Sequence, residues 1–352
     1  MKHVPSEPLP KEDLEASVDD VGMLWNKLAG KRLLITGGTG MFGAWMIESL
    51  FAAKRRIGLE VEVVALSRDP EAFSQRRPHL AGQESLRILS GTLDSLDLKE
   101  RFDLVIHMAT EADLRATLAH PCSAIDVIAD SARRALEFGV KAGATRFLLT
   151  SSGSVYARKF AKEPIDEDFA YAPDPTDVSD ANAISGCAKR QAEAWCAAVS
   201  KEYGLGATIA RCFAFLAPGL PLDGKFAAGN FVRDALAGGP IRIQGDGSPV
   251  RSYLYGSDLA TWLWTILLEG RPGRAYNVGS EHALTLRELA RLTAQEIAPG
   301  GGVQVAGLPD PQRCGDYYVP STARARIELG LSERINIVSA IRKTAAWAAL
   351  KR

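Results

Sequence analysis

Gly37, Gly40 and Gly43 stand at G-x-x-G-x-x-G spacing, and the chemistry this pattern suits is the holding of a pyrophosphate. They follow Thr36 and the apolar run Leu33, Leu34, Ile35, and they precede an amphipathic stretch that begins near Met41. The pattern therefore reads strand, turn, helix. In such a turn the first glycine allows the sharp change of direction, the second lets backbone approach the phosphates, and the third lets the helix lie close on the sheet. The free N–H groups and positive dipole end of the helix then face the ligand. The contacts expected of a bound dinucleotide are Gly37, Thr39, Gly40, Met41, Phe42 and Gly43. The alternative is a tight turn with no ligand, and the visible strand and helix on either side favour the ligand.

The next strand, Val61–Asp69, decides between the two nicotinamide dinucleotides at its end. An acidic residue there binds the adenosine ribose diol, but this strand ends in Ser67 and Arg68. A hydroxyl and a guanidinium suit a 2′-phosphate better, so the cofactor is NAD or NADP with a slight lean to NADP, tempered by Asp69 one residue on. A further strand, Phe102–Thr110, ends in small residues, Ala109 and Thr110, that would let the chain pass under the cofactor.

The elements that must position these groups follow a β-α-β rhythm. A third strand is expected over 86–91, a helix over 123–142, a strand over 145–156, a long helix from Ala183 to a glycine stop at Gly204, and a sixth strand and exit loop over 207–219. The fold class is α/β: a Rossmann-type doubly wound parallel sheet with ligands at the carboxyl ends of its strands. Beyond the sixth strand the rhythm breaks into Gly- and Pro-rich loops, which reads as a smaller C-terminal substrate-binding lobe. The expected division is 1–30 as an N-terminal extension with a packing helix over 12–28, 31–212 as the dinucleotide domain, and 213–352 as mainly the substrate lobe, with some segments returning to the sheet.

Composition sets the outer limits. The chain has 352 residues, and Lys+Arg and Asp+Glu are both 42, so there is no charge footprint for nucleic acid or an anionic membrane. No apolar run approaches the ~18 residues of a membrane span, and the polar N-terminus lacks a signal-peptide core. Five scattered cysteines without a C-x-x-C pair argue for a reduced, cytoplasmic protein and against a metal site.

Several motifs taken in order, TGGTGMFG, IHMAT, TSSGSVY, the Lys189 helix, VRSYLYGSDLA, YNVGS and RCGD, resemble the extended short-chain dehydrogenase/reductase family, in its nucleotide-sugar epimerase/dehydratase branch. The likeness covers nearly the whole chain from Lys31. It implies that Ser152 hydrogen-bonds the sugar's reacting oxygen and that Lys189 is the lysine of Tyr-x-x-x-Lys. That lysine holds the nicotinamide ribose and lowers the tyrosine's pKa. The tyrosine position falls on Ser185. A phenol of pKa about 10 is tunable toward neutrality, whereas an aliphatic hydroxyl is far less acidic and its stem is short. Three readings stay open: a catalytically dead or regulatory protein, a base supplied elsewhere (Cys187, then Tyr156, then Glu111), or a substitution introduced to trap a complex. Cys187 also has a plain reading as a small buried helix residue.

By the same resemblance Asn230, Arg251 and Arg313 hold the nucleotide and its diphosphate, for which the planar arginine fork is well shaped. The Asp-Glu pair of the 4,6-dehydratases falls on Gly153 and Ser154, which disfavours ordinary dehydration. The family's exit-loop Asn is Ala214 and its adenine-contacting Asp is Thr92. The implied function is an NAD(P)-dependent enzyme acting on a nucleotide-diphosphate sugar, most simply an epimerase working through a keto sugar. The alternative is a non-catalytic nucleotide-sugar or dinucleotide-binding protein, and third come a ketoreductase, decarboxylase or atypical dehydratase. A homodimer is implied too, with Trp195 and Val199 as candidate contacts.

Overall fold

The computed structural model describes residues 7–93, 100–109, 114–157, 162–224, 226–308 and 316–350. The strands are β1 (Lys31–Thr36), β2 (Val61–Ser67), β3 (Leu86–Ser90), β4 (Leu104–His107), β5 (Arg146–Ser152), β6 (Gly206–Cys212), β7 (Ile241–Ile243), β8 (Val250–Arg251), β9 (Ala275–Val278), β10 (Leu284–Thr285), β11 (Val303–Val305) and β12 (Tyr317–Tyr318). Seven of them form one parallel sheet in the order β3-β2-β1-β4-β5-β6-β9. β1 is apolar at consecutive positions because both of its faces are covered. Leu33 and Ile35 join one core cluster and Leu34 the other.

One face carries the helices Met41–Ile57, Gly256–Glu269 and Lys11–Val21, and the other carries Ser131–Ala142 and Ala181–Tyr203. The N-terminal helix packs on the first of these faces, where Tyr255 donates its hydroxyl to Asp13 at 2.7 Å and Trp25 lies 5.2 Å from Trp264. The single helix expected over 12–28 breaks at Gly22, whose φ of 55° only glycine adopts readily, and continues as a 3₁₀ segment to Leu28.

The sheet order reverses between β1 and β4. The chain steps outward from β1 to β3 on one side and from β4 to β9 on the other, which opens a crevice at the carboxyl ends of β1 and β4. Beyond β6, β7 pairs with β11, β8 lies between β10 and β12, and the helices Ala227–Leu236, Leu286–Ile297 and Ile337–Ala349 close a separate core over that region. Among the described residues, no helix is long and apolar enough to cross a membrane.

Several boundaries differ from expectation. β4 stops at His107 rather than Thr110, and β5 stops at Ser152, where the Ser152 hydroxyl accepts from the Ser154 N–H and turns the chain into a 3₁₀ segment. The helix expected over 123–142 is three pieces: Pro121–Ile125, a π-helical turn Asp126–Asp130, and Ser131–Ala142. Val199, expected as a contact for a second subunit, is only 6% exposed and packs with Leu205, Ala207 and Ile209, because it faces its own sheet. Trp195 is 39% exposed.

Candidate active site

The glycine turn is shaped by contact as much as by conformation. Gly37 has φ 73°, and a Cβ there would sit 2.5 Å from the Met108 carbonyl carbon and 2.6 Å from the Ala109 nitrogen. The turn after β1 is therefore pressed against the exit of β4. A Cβ at Gly43 would meet the Gly38 oxygen at 2.3 Å, so this glycine lets the helix start fold back on its own turn. At Gly40 the space is open, with the nearest atom, the Gly37 oxygen, at 3.6 Å. Gly40 caps the Met41–Ile57 helix with no side-chain bond, and the turn closes through Gly40 N–H to Gly37 O (3.3 Å) and Ala44 N–H to Gly40 O (2.9 Å). The N–H groups of Met41, Phe42 and Gly43 have no acceptor among the described residues. Phe42 turns its ring against Phe215, 4.9 Å away, so it offers the crevice backbone rather than side chain.

At the end of β2 the buried Ser67 hydroxyl accepts from the Asp69 N–H (3.1 Å), and Asp69 accepts from the Ala72 N–H (2.8 Å) as the cap of the Pro70–Arg76 helix. Both side chains are engaged locally, while Arg68 is exposed. Ala109 follows β4 beside the turn. Thr110, Glu111 and Arg313 lie outside the described residues.

His107, at the end of β4, was not singled out from the sequence. It is buried, with Nδ1 2.8 Å from the Thr36 hydroxyl and Nε2 3.3 Å from the Ser131 hydroxyl. Burial, helped by the Lys189 charge, lowers its pKa to about 3, so the ring is neutral and acts as a strut between β1 and the helix behind. A histidine ending an apolar strand was the available signal. Lys189 is buried too, and its ammonium donates to the Thr150 carbonyl at 2.8 Å. Burial lowers its pKa to about 8, opposed by Cys212, Glu193 and Cys196 nearby.

Ser152 lies at the end of β5. Its Oγ accepts from the Ser154 N–H (3.1 Å) and the Ser154 hydroxyl (2.9 Å), and the phenol of Tyr318 lies close by, against the adjacent Gly153. Ser185 lies one turn before Lys189 on the Ala181–Tyr203 helix, on the same face by i,i+4 spacing. Gly186 lets that helix press against the loop after β5, since a Cβ there would lie 2.1 Å from the Ser154 oxygen.

The two described candidates for a displaced base are placed elsewhere. Cys187 is about 200° around the helix from Ser185. Its thiol points to the Pro173 carbonyl at 3.7 Å, and burial raises its pKa. Tyr156 donates to Asn277 Oδ1 (2.8 Å) and accepts from Arg211 (2.8 Å), with its pKa raised by burial. Arg211 in turn grips Glu193, which accepts from Ser151 at 2.5 Å. Tyr156 is thus a tie within a buried polar cluster. A base role does not suit either residue.

In the second lobe Asn230 donates to the Gly224 carbonyl (2.9 Å) and accepts from Arg233 (3.2 Å). Arg251 donates to the Asp316 carboxylate (2.8 Å) and backbone oxygen (2.8 Å), and its guanidinium lies 5.5 Å from the Tyr318 ring centre. Ala214 binds through its backbone oxygen, which accepts from the Leu254 N–H at 3.1 Å.

The model of the NAD dependent epimerase/dehydratase family matches residues 33–279, which run from β1 past β9 and take in both the glycine turn and the Ser152–Lys189 pair. The chain belongs to this family. Among curated relatives it is 26% identical over 319 residues to UDP-glucuronic acid decarboxylase 1 of Xenopus tropicalis, a match covering 89% of this chain and 71% of the relative. Among solved structures, an epimerase from Methanothermobacter thermautotrophicus superposes with a TM-score of 0.80 at 22% identity, covering 95% of this chain and 96% of the other. The dTDP-glucose 4,6-dehydratase DesIV of Streptomyces venezuelae, solved with NAD bound, gives 0.75 at 22% identity, covering 91% and 97%. These likenesses are to the fold.

The family's cofactor fits the residues present. A dinucleotide needs backbone room and N–H donors at the crevice, and the open Gly40 and the free N–H groups of Met41 to Gly43 supply both. Lys189, from the helix packed on β5, ends on the Thr150 carbonyl near the carboxyl end of that strand. Among the described residues, no cluster of His, Cys, Asp and Glu could hold a metal ion.

Proposed function

We propose that this protein modifies the sugar of a nucleotide-diphosphate sugar, most simply by epimerisation through a keto sugar. The observation that carries the reading is that Lys189, within the Ala181–Tyr203 helix, bonds to the Thr150 carbonyl two residues before Ser152 on β5, whose neighbour β4 lies beside the β1 strand that leads into the glycine turn. Bound NAD supplies a hydride acceptor and donor. The Met41–Gly43 amides hold the pyrophosphate, Lys189 orients the nicotinamide ribose, and Ser152 hydrogen-bonds the sugar's reacting oxygen. Asn230, Arg251 and Arg313 hold the nucleotide and diphosphate, with the Arg251–Asp316 pair rearranging as phosphate oxygens take the fork. The slight lean to NADP rests on Arg68, exposed after β2, whose guanidinium suits a 2′-phosphate. Gly153 and Ser154 offer neither the acid nor the base that loss of water requires, so isomerisation is favoured over dehydration. A cytoplasmic homodimer with Trp195 at its contact face accords with this role.

The test offers UDP-, GDP-, CDP- and dTDP-sugars to the unaltered protein in heavy water with NAD or NADP, and reads product masses and sugar spectra. An isomer of unchanged mass, or one heavier by exchanged deuterium, supports the epimerase. Loss of water or of carbon dioxide overturns it in favour of a dehydratase or a decarboxylase. Binding without any product overturns the enzymatic reading and leaves a nucleotide-sugar-binding protein.

A further inference from the structure

One chemical part of such a reaction has no evident residue on the Lys189 helix. Oxidising a carbinol requires a group that takes the hydroxyl proton, and Ser185 has neither the acidity nor the reach of a phenol. The structure brings a phenol to Ser152 by another route. Tyr318 lies on β12, which pairs in parallel with β8 so that Tyr318 stands beside Arg251. This pairing swings the ring toward the end of β5, where it stacks 4.6 Å from Phe213. Its hydroxyl occupies the volume a side chain at 153 would fill, next to Ser152 in the chain: a Cβ built on Gly153 would lie 2.5 Å from the Tyr318 oxygen. Tyr318 as a whole is partly exposed. Gly153 and Tyr318 are thus complementary, one giving up the space that the other uses.

We propose that Tyr318 is the proton-transfer residue of this site, working with Ser152 on the sugar's reacting oxygen; the proposal rests on the nucleotide-sugar reading above. In the oxidising direction the sugar O–H bond breaks and its proton passes to the phenolate oxygen of Tyr318. The electron pair of that bond becomes the second bond of the C=O group. The C–H pair at the same carbon would leave as hydride, and the nicotinamide dinucleotide that the Met41–Gly43 amides and Lys189 would hold is the group that would supply the acceptor. In the reducing direction the phenol returns the proton to the sugar oxygen.

The charged and titratable groups that face Tyr318 are Arg251 and Asp316 from the second lobe and Cys212 from β6. In the free protein burial pushes its pKa up to about 12, so the phenol is protonated. A cation brought into the crevice favours the phenolate. Oxidised NAD brings one.

The experiment compares the unaltered chain with Tyr318→Phe, which keeps the ring and removes only the oxygen. Two quantities are read: turnover of whichever nucleotide sugar is accepted, and tyrosinate ultraviolet absorbance titrated with and without oxidised NAD. Tyr318→Phe is expected to lower kcat by about 10²-fold or more with KM little changed, the scale of a lost general acid–base group. One tyrosine of the unaltered protein should ionise at lower pH when NAD is bound, and that signal should vanish in the variant. Gly153→Ala keeps the phenol but displaces it, and is expected to lower kcat at least about tenfold through misplacement alone. Turnover by Tyr318→Phe within about threefold of the unaltered protein overturns the proposal, since a proton-transfer group is worth far more. A titration that NAD leaves unmoved overturns it as well. If no sugar is turned over, the epimerase reading falls and the proton-transfer role falls with it, and a NAD-linked titration lost in Tyr318→Phe then marks Tyr318 only as a phenol beside the cofactor; turnover that survives in Tyr318→Phe overturns the role alone.

Discussion

The turn at Gly37 and the cleft at Ser152 sit at nearby strand ends of one sheet, yet they are built in opposite ways. The turn is contiguous chain, its function is carried by backbone N–H groups, and its shape is forced by contacts with Met108 and Gly38 that leave no room for a Cβ. The cleft is assembled from side chains on β5, the Lys189 helix, β8 and β12, which the chain brings together only after the second lobe has folded. A backbone site tolerates almost any neighbouring side chain but none at its key glycines. A side-chain site can move a chemical group from one element to another if the new element reaches the same point. This is how a site whose Lys189 helix carries Ser185 can still present a phenol beside Ser152.

The largest expected break falls on the turn. Gly37→Ala places a Cβ 2.5 Å from backbone at a φ of 73°, and the combined overpacking and strain should destabilise the fold by about 2–5 kcal/mol and abolish NAD binding. Thermal unfolding and calorimetric titration with NAD check both. Gly40→Ala, by contrast, should leave stability nearly unchanged while weakening NAD, because its Cβ has space in the protein and competes only with the ligand.

Next comes Lys189. Its folded-state pKa of about 8 lies below the ordinary 10.5, so the buried charge opposes folding below pH 8, and that opposition fades as pH rises toward 10.5. Lys189→Met should therefore raise the melting temperature near neutral pH, with the advantage shrinking between pH 8 and 10.5, while turnover falls about 10²-fold or more from the lost ribose contact. A melting advantage that grows with pH would contradict the assignment.

Smaller effects sharpen the contrast at the edges. Arg68→Ala should cut NADP affinity about tenfold, the worth of one charge-assisted bond, and leave NAD affinity within twofold, measured by titration with each dinucleotide. Cys187→Ser should leave turnover within about twofold and stability within about 1 kcal/mol, because its thiol faces Pro173 rather than the crevice. Loss of activity in Cys187→Ser would restore the thiol as a candidate base.

The same contrast explains what the sequence made legible. Glycine spacing between an apolar run and an amphipathic run is a local pattern, and local patterns fix the β1 turn, the helix from Met41 and the helix stop at Gly204. The parallel, doubly wound character of the sheet followed from the β-α-β rhythm, whereas its strand order did not. The meeting of Tyr318 with Ser152 was not legible, because it depends on β12 pairing with β8 in one register and on a glycine at 153 leaving the space. His107 gave a weaker signal, a polar residue ending an apolar strand, whose partners Thr36 and Ser131 appear only when three elements pack. The π-turn before Ser131 had no sequence mark that distinguishes it from continuous helix.

The account turns on where the phenol of Tyr318 lies when substrate is present. A crystal structure of the unaltered protein with NAD and the nucleotide sugar it accepts measures this directly. The account predicts the Tyr318 and Ser152 hydroxyls within ~3 Å of the same sugar oxygen, with Ser185 making no contact to it. A sugar oxygen held by Ser152 and some other group, with Tyr318 turned out of the cleft, would contradict it.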